Sequence, residues 1–401
     1  MSVTSPLLRP GMIGQVRLPN RVIRAATSES MANPAGEVTD EMVELHAALA
    51  RGRVGLAFTG HMFVEPRGRY GDAQNGIHDD AMLPGLHRLT EAVHSAGGRV
   101  FAQLAHAGSQ TECDDFEPIA PSPVDNVMTG RPVREAADEE LTATVAAFGE
   151  AARRAREAEF DGVHLHAANG YLISEFRSPL TNRRTDRWGG DPAAREQFPL
   201  AVIGAVREQV SPEMGVTMKL GFQDFVPGEG LDPETAVNGA VGLAGAGLDA
   251  IEVSANLMTD YVSASIQPYI AVDRRRAAED LLVHRLWKEP EPEAYFLPFA
   301  RALRKHTDIP IVLVGGLRRT ETMERLIESE ETDFVSLARP LIREPDLVRQ
   351  IEAGRTGLVD CVSCNICVMH EQRHGLRCWR TPRHRLFRHA FHRLTGRTVP
   401  A

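Results

Sequence analysis

Residues 161–190 read DGVHLHAANGYLISEFRSPLTNRRTDRWGG, and four side chains in this stretch have the chemistry and spacing of a reaction site. The segment opens as a short apolar strand, VHLH, and breaks into a long polar loop. Alternate residues of a strand share a face, so His164 and His166 are predicted to point the same way. Asn169 and Tyr171 follow just past the strand end. Two hydrogen-bond donors, His166 and Asn169, followed by a phenol suit a site that grips a carbonyl oxygen and delivers a proton nearby. Taken alone, H-x-x-N-x-Y also describes a core histidine and an ordinary strand-terminal loop.

The elements around this segment decide what it can do. Short β-branched runs alternate with longer stretches rich in Ala, Glu, Arg and Leu, the pattern of repeated βα units around a parallel sheet. The predicted strands are Val22–Ala26, Val54–Thr59, Arg99–Leu104, Gly162–His166, Val216–Leu220, Ala250–Ser254, Ile311–Val314 and Phe334–Leu337. Helical stretches such as Leu141–Ala158 and Pro192–Val210 lie between them. The repeats predict an α/β fold, a (β/α)8 TIM barrel, with long loops after strands 3 and 6 and a short C-terminal cysteine-rich extension. In such a barrel the chemistry sits at the C-terminal strand ends, where Asn169 and Tyr171 fall. The long loops, 105–138 and 255–294, are expected to be functional or mobile, and the second to cover the pocket and shape substrate or nicotinamide access. The second carries Tyr261, Tyr269, Arg274, Arg275 and Arg276. The nearest approach to a dinucleotide fingerprint, GAGLDA at 245–250, lacks the third glycine and reads as a helix-to-strand turn.

The chain has 401 residues, 43% of them hydrophobic, enough to bury a sizeable core. A net charge of −9 argues against nucleic acid as a partner. The apolar runs are too short to span a bilayer and no leader pattern precedes a cleavage site. The expectation is therefore a cytoplasmic protein with no integral membrane segment.

HAANGYL followed by SPLTNRRTDRWGG resembles the signature of the old yellow enzyme family of FMN-dependent oxidoreductases. Supporting motifs run in the same order through residues 6–345: NRVIRAATSE, VGLAFTGH, VFAQLAHAG, IPIVLVGGL and FVSLARPLIREPDL. The resemblance implies FMN as cofactor, NAD(P)H as reductant and a small-molecule substrate, most simply an alkene conjugated to a carbonyl. His166 and Asn169 match the residues that polarise the substrate carbonyl, and Tyr171 matches the phenol that protonates the α carbon. Ala25, Ala26, Thr27 and Ser28 match backbone and side-chain contacts to the flavin. Gly60 would permit its close approach, Gln103 would bond its pyrimidine, and Lys219 would sit by the N1–O2 edge. Gly315, Gly316, Ala338 and Arg339 would hold the phosphate after strands seven and eight. His164 stands where many relatives have an acid, and a structural role is expected for it. Arg183, Arg184, Asp186 and Arg187 are expected to organise their loop rather than to catalyse.

Four of the five cysteines crowd into DCVSCNICVMHEQRHGLRCWR. Cys361, Cys364, Cys367 and Cys378 could hold a [4Fe–4S] cluster or a tetrahedral zinc ion, or remain thiols. Their place after the eighth strand is similar to that of the cluster cysteines in 2,4-dienoyl-CoA reductase and trimethylamine dehydrogenase. A cluster would need an electron-transfer protein partner and would favour an amine or N-methyl dehydrogenase over a self-contained reductase. A non-catalytic flavin- or metal-binding barrel is the third reading. The expected organisation is an FMN-binding barrel over 1–355, a cysteine-rich loop over 356–380 and a basic amphipathic tail over 381–401. Assembly as a homo-oligomer stays open.

Overall fold

The computed structural model describes residues 5–124, 131–225, 229–257, 293–361, 363, 367 and 374–379. Its centre is a closed barrel of eight strands. These are β1 (Val22–Arg24), β2 (Leu56–Phe63), β3 (Val100–Ala105), β4 (Gly162–Ala167), β5 (Gly215–Gly221), β6 (Ala250–Ser254), β7 (Ile311–Val314) and β8 (Phe334–Leu337). Each pairs in parallel with the next, and β8 returns to β1 with Leu337 opposite Arg24. The strands are near-continuous apolar runs because helices cover one face and the barrel interior the other.

That interior is a separate core of Ile23, Leu56, Phe58, Phe101, Ala250, Val312 and Phe334. At the N-terminal end it is closed by an antiparallel hairpin, Gly11–Ile13 with Val16–Leu18, whose Ile13, Val16 and Leu18 join the same cluster. The floor is thus sealed with hydrocarbon, and the polar side chains of the barrel gather above it, toward the C-terminal mouth.

All eight predicted strands are present, and two boundaries differ for visible reasons. β2 does not stop at Thr59 but runs to Phe63. Phe58 lies opposite Phe101 while His61 lies opposite Gln103, so one extra residue is inserted as a bulge. The predicted helix Pro192–Val210 is two helices, Pro192–Arg195 and Gln197–Gln209. The break falls at Glu196, whose carboxylate accepts from Arg177 Nε at 3.0 Å.

The loop after β3 has structure of its own, a 3-10 turn at Gly108–Gln110 and a short parallel pair, Ile119–Ala120 with Arg134–Glu135. Tyr261, Tyr269, Arg274, Arg275 and Arg276 in the loop after β6 lie outside the described residues, as does the basic tail. Among the described residues no helix is long and apolar enough to cross a membrane.

Candidate active site

His164 and His166 point to the barrel interior from the same face of β4, at different depths. His164 is fully buried and stacks on Phe58 with ring centroids 3.9 Å apart. His166 lies two residues nearer the mouth, and its Nδ1 is buried without a protein hydrogen-bond partner. Asn169 adopts a left-handed φ of +60°, which asparagine tolerates better than most residues. Its turn is tied down by Asn169 N donating to Ala255 O at 3.1 Å and by Gln110 Nε2 donating to Asn169 O at 2.7 Å. Ser254 Oγ, 3.5 Å from Asn169 Oδ1, occupies the acceptor end of the amide and leaves Nδ2 to donate. Tyr171 then brings its ring to 4.4 Å from that of His166. The three predicted catalytic residues are therefore gathered at one strand end.

Burial, then the charges of His61, Lys219 and His164, hold the His166 pKa well below its usual value. The imidazole is neutral at physiological pH and offers a hydrogen bond rather than a transferable proton.

Beneath these residues is a charged group that only the fold discloses. Lys219 on β5 and Glu252 on β6 are opposite each other, with Nζ 2.5 Å from Oε2. The same carboxylate oxygen is 3.2 Å from His164 Nε2, and His164 Nδ1 is 2.8 Å from Thr217 Oγ1. Burial opposes ionisation of Glu252, but Lys219 and His164 outweigh it and hold the carboxyl well below the usual carboxylate range. Lys219 is therefore a paired cation, and its partner Glu252 is not among the residues singled out from the sequence. Arg24 on β1 is also buried and donates from Nη1 to Ala25 O, while its Nη2 has no protein partner.

Several features suit a flavin. Gln103 Nε2, Arg24 Nη2 and His166 Nδ1 are buried polar atoms without protein partners. Gly315 and Gly316, directly after β7, have φ of +126° and +70°, values closed to most side chains. A Cβ on Gly315 would lie 2.8 Å from Tyr295 Cε2. Ala338 and Arg339 follow β8, the neighbouring strand, so the four predicted phosphate residues share one rim of the mouth. Ala25, Ala26, Thr27 and Ser28 leave β1 beside them, with Thr27 Oγ1 bonded to Ala25 O at 3.1 Å. At Gly60 the protein itself also demands glycine: a Cβ would lie 2.9 Å from both Thr27 O and Glu29 Oε2.

The TNRRTDRWGG loop is held by its own charges. Arg184 pairs with Asp186 at 2.6 Å and donates to the carbonyls of Pro121 and Ala136. Arg187 reaches Asp138 at 2.9 Å. The loop after β4 is thereby stitched to the loop after β3.

Cys361, Cys367 and Cys378 lie among the described residues and Cys364 outside them. Among the described residues no three His, Cys, Asp or Glu side chains are placed to hold a metal ion. Beside Cys378, Leu376 N donates to Glu29 O at 2.8 Å, docking this segment on the loop that follows β1.

Residues 6–357 match the sequence model of the NADH:flavin oxidoreductase / NADH oxidase family. An NADH oxidase of Thermoanaerobacter brockii is 33% identical over 90% of this chain and 53% of its own. A 4,4'-dithiodibutanoate disulfide reductase of Rhodococcus erythropolis is 33% identical over 91% of this chain and 93% of its own. The solved structure of an old yellow enzyme homologue from Zymomonas mobilis has a TM-score of 0.71 at 25% identity, over 89% of this chain and 95% of that one. The chain thus spans about half the length of the NADH oxidase and nearly all of the disulfide reductase.

Proposed function

Because the chain belongs to the NADH:flavin oxidoreductase / NADH oxidase family and is an FMN-dependent oxidoreductase of old yellow enzyme type, we propose that it reduces carbonyl-conjugated C=C bonds at the barrel mouth. Ala25, Ala26, Thr27, Ser28, Gln103 and Lys219 would hold the isoalloxazine, and Gly315, Gly316, Ala338 and Arg339 the phosphate. Bound FMN would supply the hydride for the β carbon, having received it from a reduced nicotinamide.

The protein's part is binding and proton delivery. His166 and Asn169 donate hydrogen bonds to the carbonyl oxygen, where negative charge builds as hydride arrives. Tyr171 gives its phenolic proton to the α carbon, and water restores it. The observation that carries this reading is the contact between Tyr171 and His166, with ring centroids 4.4 Å apart beside an unpartnered imidazole nitrogen.

The test is anaerobic. FMN-loaded protein is reduced by NADH or NADPH and then mixed with 2-cyclohexenone. Rapid reoxidation in the wild type, slowed by two orders of magnitude or so in Tyr171→Phe, is expected. Equal rates in the two proteins would overturn the assignment.

The 33% identity to a disulfide reductase over nearly the full length of both chains supports a second substrate class in the same site. There, hydride and one proton would convert a disulfide into two thiols, and dithiodibutanoate in place of cyclohexenone tests it. Cys361, Cys364, Cys367 and Cys378 remain proposed ligands of one iron–sulfur or zinc centre. Metal analysis of protein purified without oxygen decides between iron, zinc and neither.

A further inference from the structure

His61 enters the mouth from the bulge in β2, and its hydrogen bonds fix which ring nitrogen carries the proton. Gln74 is the key. Its Oε1 accepts from Tyr70 N at 2.6 Å, while its Nε2 lies 2.6 Å from His61 Nδ1 and 3.0 Å from His61 O. Turning the amide over would set an NH2 against the Tyr70 N–H and an oxygen against the His61 carbonyl, two repulsive contacts in a buried place. Gln74 must therefore donate to Nδ1, and the proton of a neutral His61 sits on Nε2. That nitrogen is 3.3 Å from Tyr171 Oη.

From this chain of bonds we propose that His61 is a positioning residue for Tyr171. Its Nε2–H donates to the phenolic oxygen, turns the phenol's own proton away from His61, and stabilises the phenolate left when that proton is transferred. The inference rests on Tyr171 being the proton donor. Burial, opposed by its own carbonyl and by Glu29, lowers the His61 pKa to about 4, so the single neutral tautomer persists through the physiological range. The groups that face the pair are His166, whose ring is 6.3 Å from that of His61, Tyr70 at 5.8 Å, and the Glu29 carboxylate. Neither of these two rings carries a full charge at neutral pH, and Glu29 acts on His61 through its charge, so the His61 N–H is the described donor within reach of the phenolic oxygen. The bulge is what makes this possible, because it sets His61 opposite Gln103 at the level of the mouth.

The test reads the phenol directly. Alkaline titration of phenolate absorbance in the FMN-loaded protein, taken as the difference from Tyr171→Phe, gives the Tyr171 midpoint. His61→Phe should raise that midpoint by about one pH unit and slow alkene reduction about tenfold, as expected for losing a hydrogen bond to a charged oxygen. His61→Gln keeps an N–H donor and should recover most of both. Gln74→Leu, which leaves His61 but frees its tautomer, should shift the midpoint the same way by less, and it carries the test if His61→Phe fails to fold. An unmoved midpoint in both His61→Phe and Gln74→Leu, or no recovery in His61→Gln, overturns the proposal. If instead Tyr171→Phe reduces the alkene at the wild-type rate while the midpoint still shifts, the donor assignment has failed and the hydrogen bond has not.

Discussion

Lys219 and Glu252 face each other across neighbouring barrel strands, 2.5 Å apart and both buried, so the cation beneath the proposed flavin site is neutralised before any cofactor arrives. Such a pair contributes little net stability when intact, but breaking it strands a buried charge.

Glu252→Gln should therefore lower unfolding free energy by about 3 kcal/mol in a denaturant titration, the usual cost of removing one buried partner. The wild-type carboxyl is held low, so its contribution is present above the ordinary carboxylate range and is lost as pH falls from there toward its own lower value. The variant should lack that share of acid destabilisation.

Glu175 behaves in the opposite sense. Burial raises its pKa from 4.5 to about 8, against the pull of the Ser109 hydroxyl and N–H. The folded protein then holds a proton that the unfolded chain releases, so stability falls as pH rises between those two values, by at most about 1.4 kcal/mol per unit. Melting temperatures across that window should decline in the wild type and flatten in Glu175→Gln. Parallel curves would show that the carboxyl is ionised in the fold.

At Gly315 the added methyl of Gly315→Ala meets Tyr295 and a φ of +126°. FMN affinity, followed by fluorescence quenching on reconstitution, should weaken at least about tenfold if this turn cradles the phosphate. Unchanged affinity would remove Gly315 from the flavin site.

Asn169 allows backbone and side-chain roles to be separated. Asn169→Gly keeps the left-handed turn and loses the amide, whereas Asn169→Ala loses both. Both should lower kcat/KM for an enone by about one to two orders of magnitude, the range for losing one oxyanion donor. Only Asn169→Ala should also lose about 1 kcal/mol of stability.

What could be read in advance follows the range of each interaction. The eight strands announce themselves as local apolar runs, and His166, Asn169 and Tyr171 lie within one short segment whose spacing alone suggests chemistry. Glu252 gives no such signal, because its partners Lys219 and His164 stand on other strands and meet it only in register. Gln74 reads as loop, and its grip on His61 depends on a bulge that hides where β2 ends. Lys219 was legible as a cation at a strand end but not as half of an ion pair. The alanine and glycine positions proposed for FMN are legible through resemblance, since their backbone roles leave no chemical mark in the sequence.

Closure of β8 against β1 also has a consequence for biosynthesis. Arg24 and residues 25–28 leave the ribosome long before Ile311–Val314 and Phe334–Leu337, yet the barrel needs those last strands to complete its wall. Until they emerge, β1 has one partner strand and an open edge, the sort of template that invites pairing with other nascent chains. Docking of FMN on the residues proposed after β7 and β8 cannot reward folding before translation of that final strand pair, so the growing chain carries its open edge through most of its synthesis.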